Sequence, residues 1–94
     1  MEQLYHQLAE LAQRHGAHRL VLFGSRARGD QKERSDIDLA VYGMAENERA
    51  NFWLDAEELP TLLEFDIVHI TPDMNPAFLQ NIEKDGVILY ASEG

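Results

Sequence analysis

Asp36 and Asp38 flank Ile37 at the head of the apolar run "DIDLAVY", and upstream, across ten intervening residues, the run "LVLF" is followed by Gly24 and Ser25. On an extended strand, residues i and i+2 share a face with Cα atoms roughly 6.5–7 Å apart. The two carboxylates can therefore converge on one ion. Hard divalent cations take oxygen ligands, and Mg²⁺ uses one or two carboxylates together with phosphate oxygens. A D-x-D pair is also common on solvated strand faces, so the spacing alone is weak. A third carboxylate, Asp66, interrupts the apolar run Phe65–Ile70, where another core side chain would be expected. Three carboxylates from two strands make a metal cradle. Without metal their mutual repulsion raises at least one proton affinity, whereas a bound cation favours all three ionised forms.

Gly24 and Ser25 supply the complementary half. Glycine lets backbone approach a phosphate closely, and a serine that opens a helical turn offers its hydroxyl and amide to the same anion. Gly-Ser after a strand is frequent in ordinary turns, and it gains weight from the aspartates that follow. Arg26 and Arg28 could grip a triphosphate through bidentate guanidinium contacts; solvated loop charges or partner contacts are equal alternatives, and Arg34 is the weaker candidate. His69 lies three residues after Asp66, so strand alternation puts it on the opposite face, in a packing or surface role. Phe52 and Trp53 could form an exposed partner patch, but helical core packing is the default expectation.

These groups need elements to carry them. Leu4, Leu8 and Leu11 recur at helical spacing between Glu2 and His15, with Ala12 beside them and Gly16 suited to the left-handed cap. Arg14 and His15 complement the helix dipole in the last turn. Leu20–Phe23 reads as a buried strand, residues 25–35 as a helical turn and loop, and Ile37, Leu39 and Val41 as the apolar face of a second strand. A helix is expected from Ala45 to Leu59, stopped near Pro60, with Phe52, Ala56 and Leu59 on one side. Phe65–Ile70 forms a third strand; Asn75 and Pro76 start a helix carrying Phe78, Leu79 and Ile82 that ends near Gly86. Val87–Tyr90 adds an edge strand. The order helix, strand, strand, helix, strand, helix, strand predicts an α/β (α+β) fold, a small mixed sheet covered by helices, in a single domain spanning 1–94.

The net charge of −9 disfavours direct binding of long nucleic acid by counterion release and suits a basic protein partner, although solubility alone would explain it. The absence of cysteine excludes disulfides and thiolate metal sites. No stretch has the length or apolarity of a signal peptide core or a membrane span, so a cytoplasmic location is expected.

Gly24-Ser25, ten intervening residues, Asp36-Ile37-Asp38 and a later strand aspartate, Asp66, together resemble the nucleotidyltransferase superfamily related to DNA polymerase beta, and within it the minimal nucleotidyltransferases of bacteria and archaea. The apolar run before Gly24 and the closing "NIEKDGVILY" extend the likeness over nearly the whole chain. The resemblance implies that Asp36, Asp38 and Asp66 are the catalytic carboxylates and hold two Mg²⁺ ions, with Mn²⁺ an alternative. It implies that Gly24 and Ser25 hold a nucleoside triphosphate, with ATP as substrate, and that an acceptor hydroxyl attacks the α-phosphorus as pyrophosphate leaves. Asp66 could also help deprotonate or orient the acceptor.

Larger members of that family carry an acceptor-recruiting domain for which this chain has no room. The resemblance therefore implies a second polypeptide, a small all-helical HEPN-type protein encoded nearby and joined in a hetero-oligomer. The expected function is that of a protein adenylyltransferase acting as the antitoxin of a type VII-like toxin–antitoxin pair, placing AMP on a tyrosine of the HEPN toxin. Two alternatives remain open at this point: nucleotidyl transfer to a small molecule, with the partner supplying the acceptor site, and a non-catalytic nucleotide-binding antitoxin acting by occlusion.

Overall fold

The computed structural model describes residues 1–29 and 36–92, and all structural statements below concern these. Arg34 and the other residues between Gly29 and Asp36 lie outside them. Two apolar runs form the centre: β1 (Arg19–Phe23) pairs antiparallel with β2 (Ile37–Tyr42) from Arg19 opposite Tyr42 to Phe23 opposite Asp38. A single turn of helix, α2 (Ser25–Arg28), follows β1 directly and closes on Gly29 in the left-handed conformation. β3 (Phe65–Ile70) lies parallel to β2 and β4 (Val87–Ala91) antiparallel to β1, giving the strand order β3-β2-β1-β4. The sheet is mixed and its helices cover it, as expected for an α+β domain.

Strand periodicity divides the core into two layers. Leu20 and Leu22 of β1 and Ile37, Leu39 and Val41 of β2 face α1 (Glu2–Arg14) and α3 (Glu46–Glu57), where Leu4, Leu8, Phe52 and Ala56 meet them. Completely burying Leu8 or Phe52 is worth about 1.5–3 kcal/mol each. The other layer is smaller: Val21, Ala40 and Ile82 are buried together, with Phe23, Tyr42, Ile70 and Phe78 around them. Ile82 and Phe78 belong to α4 (Pro76–Asp85), which opens where the Asn75 side chain accepts a hydrogen bond from the Ala77 amide at 2.8 Å.

Two expectations are corrected here. β2 does not have one apolar face only, because α4 covers Ala40 on its other side. Alternation shows which residues share a face but not whether a helix will arrive over it. On α3, Phe52 is buried but Trp53 is 48% exposed beside exposed Leu54, so Trp53 is not a core residue. Adjacent positions on a helix point about 100° apart, and the stripe facing the sheet takes Phe52 and Ala56.

His15 does more than complement a helix dipole. The ring is 9% exposed, with Nδ1 3.0 Å from Oε1 of Glu48 and Nε2 2.6 Å from Oδ2 of Asp55, and it meets Phe52 edge-on. A neutral imidazole can donate only one proton, so the doubly protonated ring is the form that satisfies both carboxylates. Burial opposes that charge, but the hydrogen bonds and negative charges of Asp55 and Glu48 outweigh it and raise the pKa. The ion pair clamps the end of α1 to α3.

Candidate active site

The end of β1 and the beginnings of β2 and β3 meet at one rim of the sheet. Parallel register places Asp66 directly beside Asp38, and antiparallel register places Phe23 on Asp38's other side. Gly24, the next residue, carries the chain into α2 with φ 75° and ψ −155°, a region populated almost only by glycine. A Cβ there would collide with Oδ2 of Asp38. Gly24 therefore answers two demands at once, a backbone turn that other residues resist and a backbone surface laid against a carboxylate.

Asp38 is half-buried, whereas Asp36 and Asp66 are exposed. Its pKa is raised first by burial, then by the negative charges of Asp66 and Asp36 and by a hydrogen bond in which protonated Asp38 donates to Asp66. The Arg28 guanidinium acts in the opposite sense, so that side chain bears on the same carboxyl. The three sequence-predicted aspartates thus share one electrostatic neighbourhood, and Arg28 belongs to it. Among the described residues no three acidic or imidazole side chains stand together as a ready site for a metal ion. An array of this kind suits a cation that keeps part of its coordination for phosphate oxygens or water, the habit of Mg²⁺ rather than of a fully protein-ligated structural ion.

Ser25 and Arg26 form the first positions of α2 and are half-buried. The Arg28 amide bonds to the Gly24 carbonyl at 3.2 Å and the Gly29 amide to the Ser25 carbonyl, so the earlier amides are those a helix start leaves without intrahelical partners. One turn has little macrodipole. What it can offer an anion is local: these amides, the Ser25 hydroxyl and the arginine side chains.

His69 sits away from this cluster, as alternation predicts. Burial and the nearby Arg49 charge lower its pKa, and its Nδ1 is buried without a hydrogen-bond partner among the described residues.

A cavity of about 390 Å³ adjoins the acidic rim. Phe23, Gly24 and Arg28 form one wall; α4 forms the other with Phe78, Asn81 and Asp85. On sequence alone Phe78 belongs to the apolar stripe of its helix, and Asn81 and Asp85 carry no role. The available signal was their spacing, since 78, 81, 82 and 85 form a single helical stripe that mixes aromatic and polar residues.

The sequence matches the polymerase beta nucleotidyltransferase family over residues 6–93. A protein adenylyltransferase, MntA, from Thermococcus cleftensis is 39% identical over 56 residues, which is 60% of this chain but only 43% of that protein. The matched region thus spans less than half of that relative's length. A solved structure of a minimal nucleotidyltransferase superposes with a TM-score of 0.71 and 31% identity, covering 88% of this chain and 86% of the other. The same fold occurs in a complex of a tri-AMPylated HEPN toxin from Shewanella oneidensis with an MNT antitoxin, with a TM-score of 0.67 and 19% identity over 99% of this chain and 75% of that one.

Proposed function

Because the chain belongs to the polymerase beta nucleotidyltransferase family, we propose that it transfers AMP from ATP to a hydroxyl of a HEPN-type partner protein, most simply a tyrosine, and so acts as the antitoxin of a toxin–antitoxin pair. The observation that carries this reading is the in-register meeting of Asp38 and Asp66 against the bare backbone of Gly24. It supports a site in which carboxylates act beside a turn that takes the phosphates. The adenylyltransferase relative and the AMPylated toxin found with an antitoxin of this fold support the choice of nucleotide and acceptor.

In this mechanism Asp36, Asp38 and Asp66 would hold the divalent ion. When bound, it would neutralise the phosphates and stabilise charge on the attacking and leaving oxygens. The raised proton affinity of Asp38 fits that role, since a crowded acid cluster gains most from a cation. Gly24 and Ser25 cradle the phosphate chain, and Arg28 balances charge at its side. Asp66, exposed on the edge strand, would orient an acceptor hydroxyl or take its proton. The acceptor oxygen bonds to the α-phosphorus as the bond to pyrophosphate breaks.

The test is incubation with ATP, Mg²⁺ and the HEPN protein encoded beside it, followed by intact-mass analysis of both chains. One or more AMP additions on the HEPN protein, lost in the Asp36→Asn, Asp38→Asn double variant although the complex still forms, is the expected result. Neutralisation of the partner that survives the double change would overturn catalysis in favour of occlusion.

A further inference from the structure

The flanks of the acidic rim differ in charge. From Ala50 to Glu83, a span that takes in most of α3, all of β3 and most of α4, the sequence has seven carboxylates and neither lysine nor arginine. Arg26 and Arg28 stand on the other flank, in α2. A triphosphate is drawn to the α2 flank and repelled by the β3 flank, so the surface beside Asp66 is left to something other than the nucleotide.

That surface holds an apolar side chain with nothing over it. Residues 61–66 lead into the edge strand β3 and alternate in exposure: Leu62, Glu64 and Asp66 face solvent, while Thr61, Leu63 and Phe65 are half-buried, the last two packed on the core. Leu62 is fully exposed, at 103%. Glu57 and Glu58, at the end of α3, are exposed as well. A leucine wholly in water gains most from being covered by a partner, and the acids along the chain on either side of it fix the sign of that partner.

Resting on the transfer reading above, we infer that this ledge, Leu62 with Glu57, Glu58 and Glu64, is where the acceptor protein docks, through a basic surface with an apolar recess for Leu62. Charge selects that occupant, because the acids disfavour a second copy of this chain, whose net charge is −9, and disfavour polyanions. Position selects it too. The ledge runs along the chain into Asp66, which lies on the opposite side of Asp38 from the β1 end that carries Gly24. A protein seated there brings its side chains to the carboxylate assigned to the acceptor hydroxyl without crossing the phosphate turn. Covering Leu62 supplies affinity, and the acids steer the approach.

The test titrates the HEPN protein encoded beside this chain into wild type, Leu62→Ala, a Glu57→Lys, Glu58→Lys double variant and Ile88→Ala, and then follows AMP transfer with ATP and Mg²⁺. Leu62 is fully exposed and lysine suits the end of a helix, so these variants keep the fold. Ile88, 60% exposed on the opposite edge strand, is the matched apolar control. Leu62→Ala should weaken partner binding roughly tenfold. The double variant should also bind more weakly, with a smaller dependence on salt than wild type. Transfer at saturating partner and the KM for ATP should match wild type in both, and Ile88→Ala should match it throughout. If Leu62→Ala and the double variant bind the partner as wild type does, or if Ile88→Ala weakens binding as much as Leu62→Ala, the docking surface is refuted while transfer stands. A loss confined to kcat or to the KM for ATP refutes it as well. Leu62-dependent binding with no AMP transferred by wild type would remove the transfer reading and leave the docking surface.

Discussion

Replacing Gly24 by alanine is the sharpest probe of how the site is built, because the chain contains its own control. Gly16 also has a positive φ, +77° against +75° for Gly24, but a Cβ at Gly16 would meet nothing within 4 Å. Gly16→Ala therefore incurs backbone strain alone, about 1–2 kcal/mol. For a domain of this size that lowers the melting temperature by roughly 4–8 °C per kcal/mol. Gly24→Ala incurs more strain, up to about 3 kcal/mol, because its φ and ψ lie in a region essentially reserved for glycine. It also drives a methyl into Oδ2 of Asp38. The carboxylate must move, and misplacement of a reacting group by about 1 Å costs on the order of 10²-fold in rate. AMP transfer to the partner, measured per folded molecule well below both melting temperatures, should thus be near wild type for Gly16→Ala and about a hundredfold lower for Gly24→Ala. Equal transfer rates in the two variants would falsify the claim that the backbone of Gly24 positions Asp38.

Two further outcomes follow from charge. The folded-state pKa of Asp38 is raised, so the ionised group opposes folding once pH exceeds that value. Without metal, Asp38→Asn should therefore melt higher than wild type at neutral pH, with the gap closing as pH falls toward the ordinary carboxyl range. Millimolar Mg²⁺ should raise the melting temperature of wild type and not of the variant, and an equal rise in both would count against Asp38 as a ligand. His15 runs the other way. Its raised pKa means that the ion pairs with Asp55 and Glu48 stabilise fully below the ordinary imidazole value of about 6.5 and fade as pH rises past the folded-state pKa. Near pH 6, His15→Gln should cost about 1–2 kcal/mol, discounted because the carboxylates are 35% and 38% exposed. A deficit that stays constant from about pH 5.5 to about pH 8.5 would remove the pH-dependent clamp from the argument.

The parts of the site legible in the sequence are those governed by short-range rules. Alternation puts Asp36 and Asp38 on one strand face and His69 on the face opposite Asp66, and glycine after an apolar run marks the turn into α2. Helix spacing likewise locates α1 and α4, and the Asn-Pro start of α4 matches its observed cap. What the sequence withheld was register between distant segments. Nothing local indicates that Asp66 will lie beside Asp38 rather than two residues along, because that depends on how the crossover through α3 lays β3 against β2. The partners of His15 lie 33 and 40 residues away, so local spacing could suggest only a dipole role. The cavity that takes in Asn81 and Asp85 exists only once α4 has packed on β1. Trp53 failed as a core residue for a related reason: hydrophobicity says that a side chain can be buried, but the docking angle of α3 decides which one is.

β3 is an edge strand held by a single neighbour, and it carries one of the three acids. Opening of that edge removes Asp66 from the site while the turn at Gly24 and Asp38 stay on the two central strands. A molecule in that opened state keeps half of a binding site. Any ligand that needs all three carboxylates is excluded from it, so binding draws the population toward the closed edge and protects β3 amides from solvent exchange more than those of β1. One edge of the sheet is in this way tied to whether the site is filled.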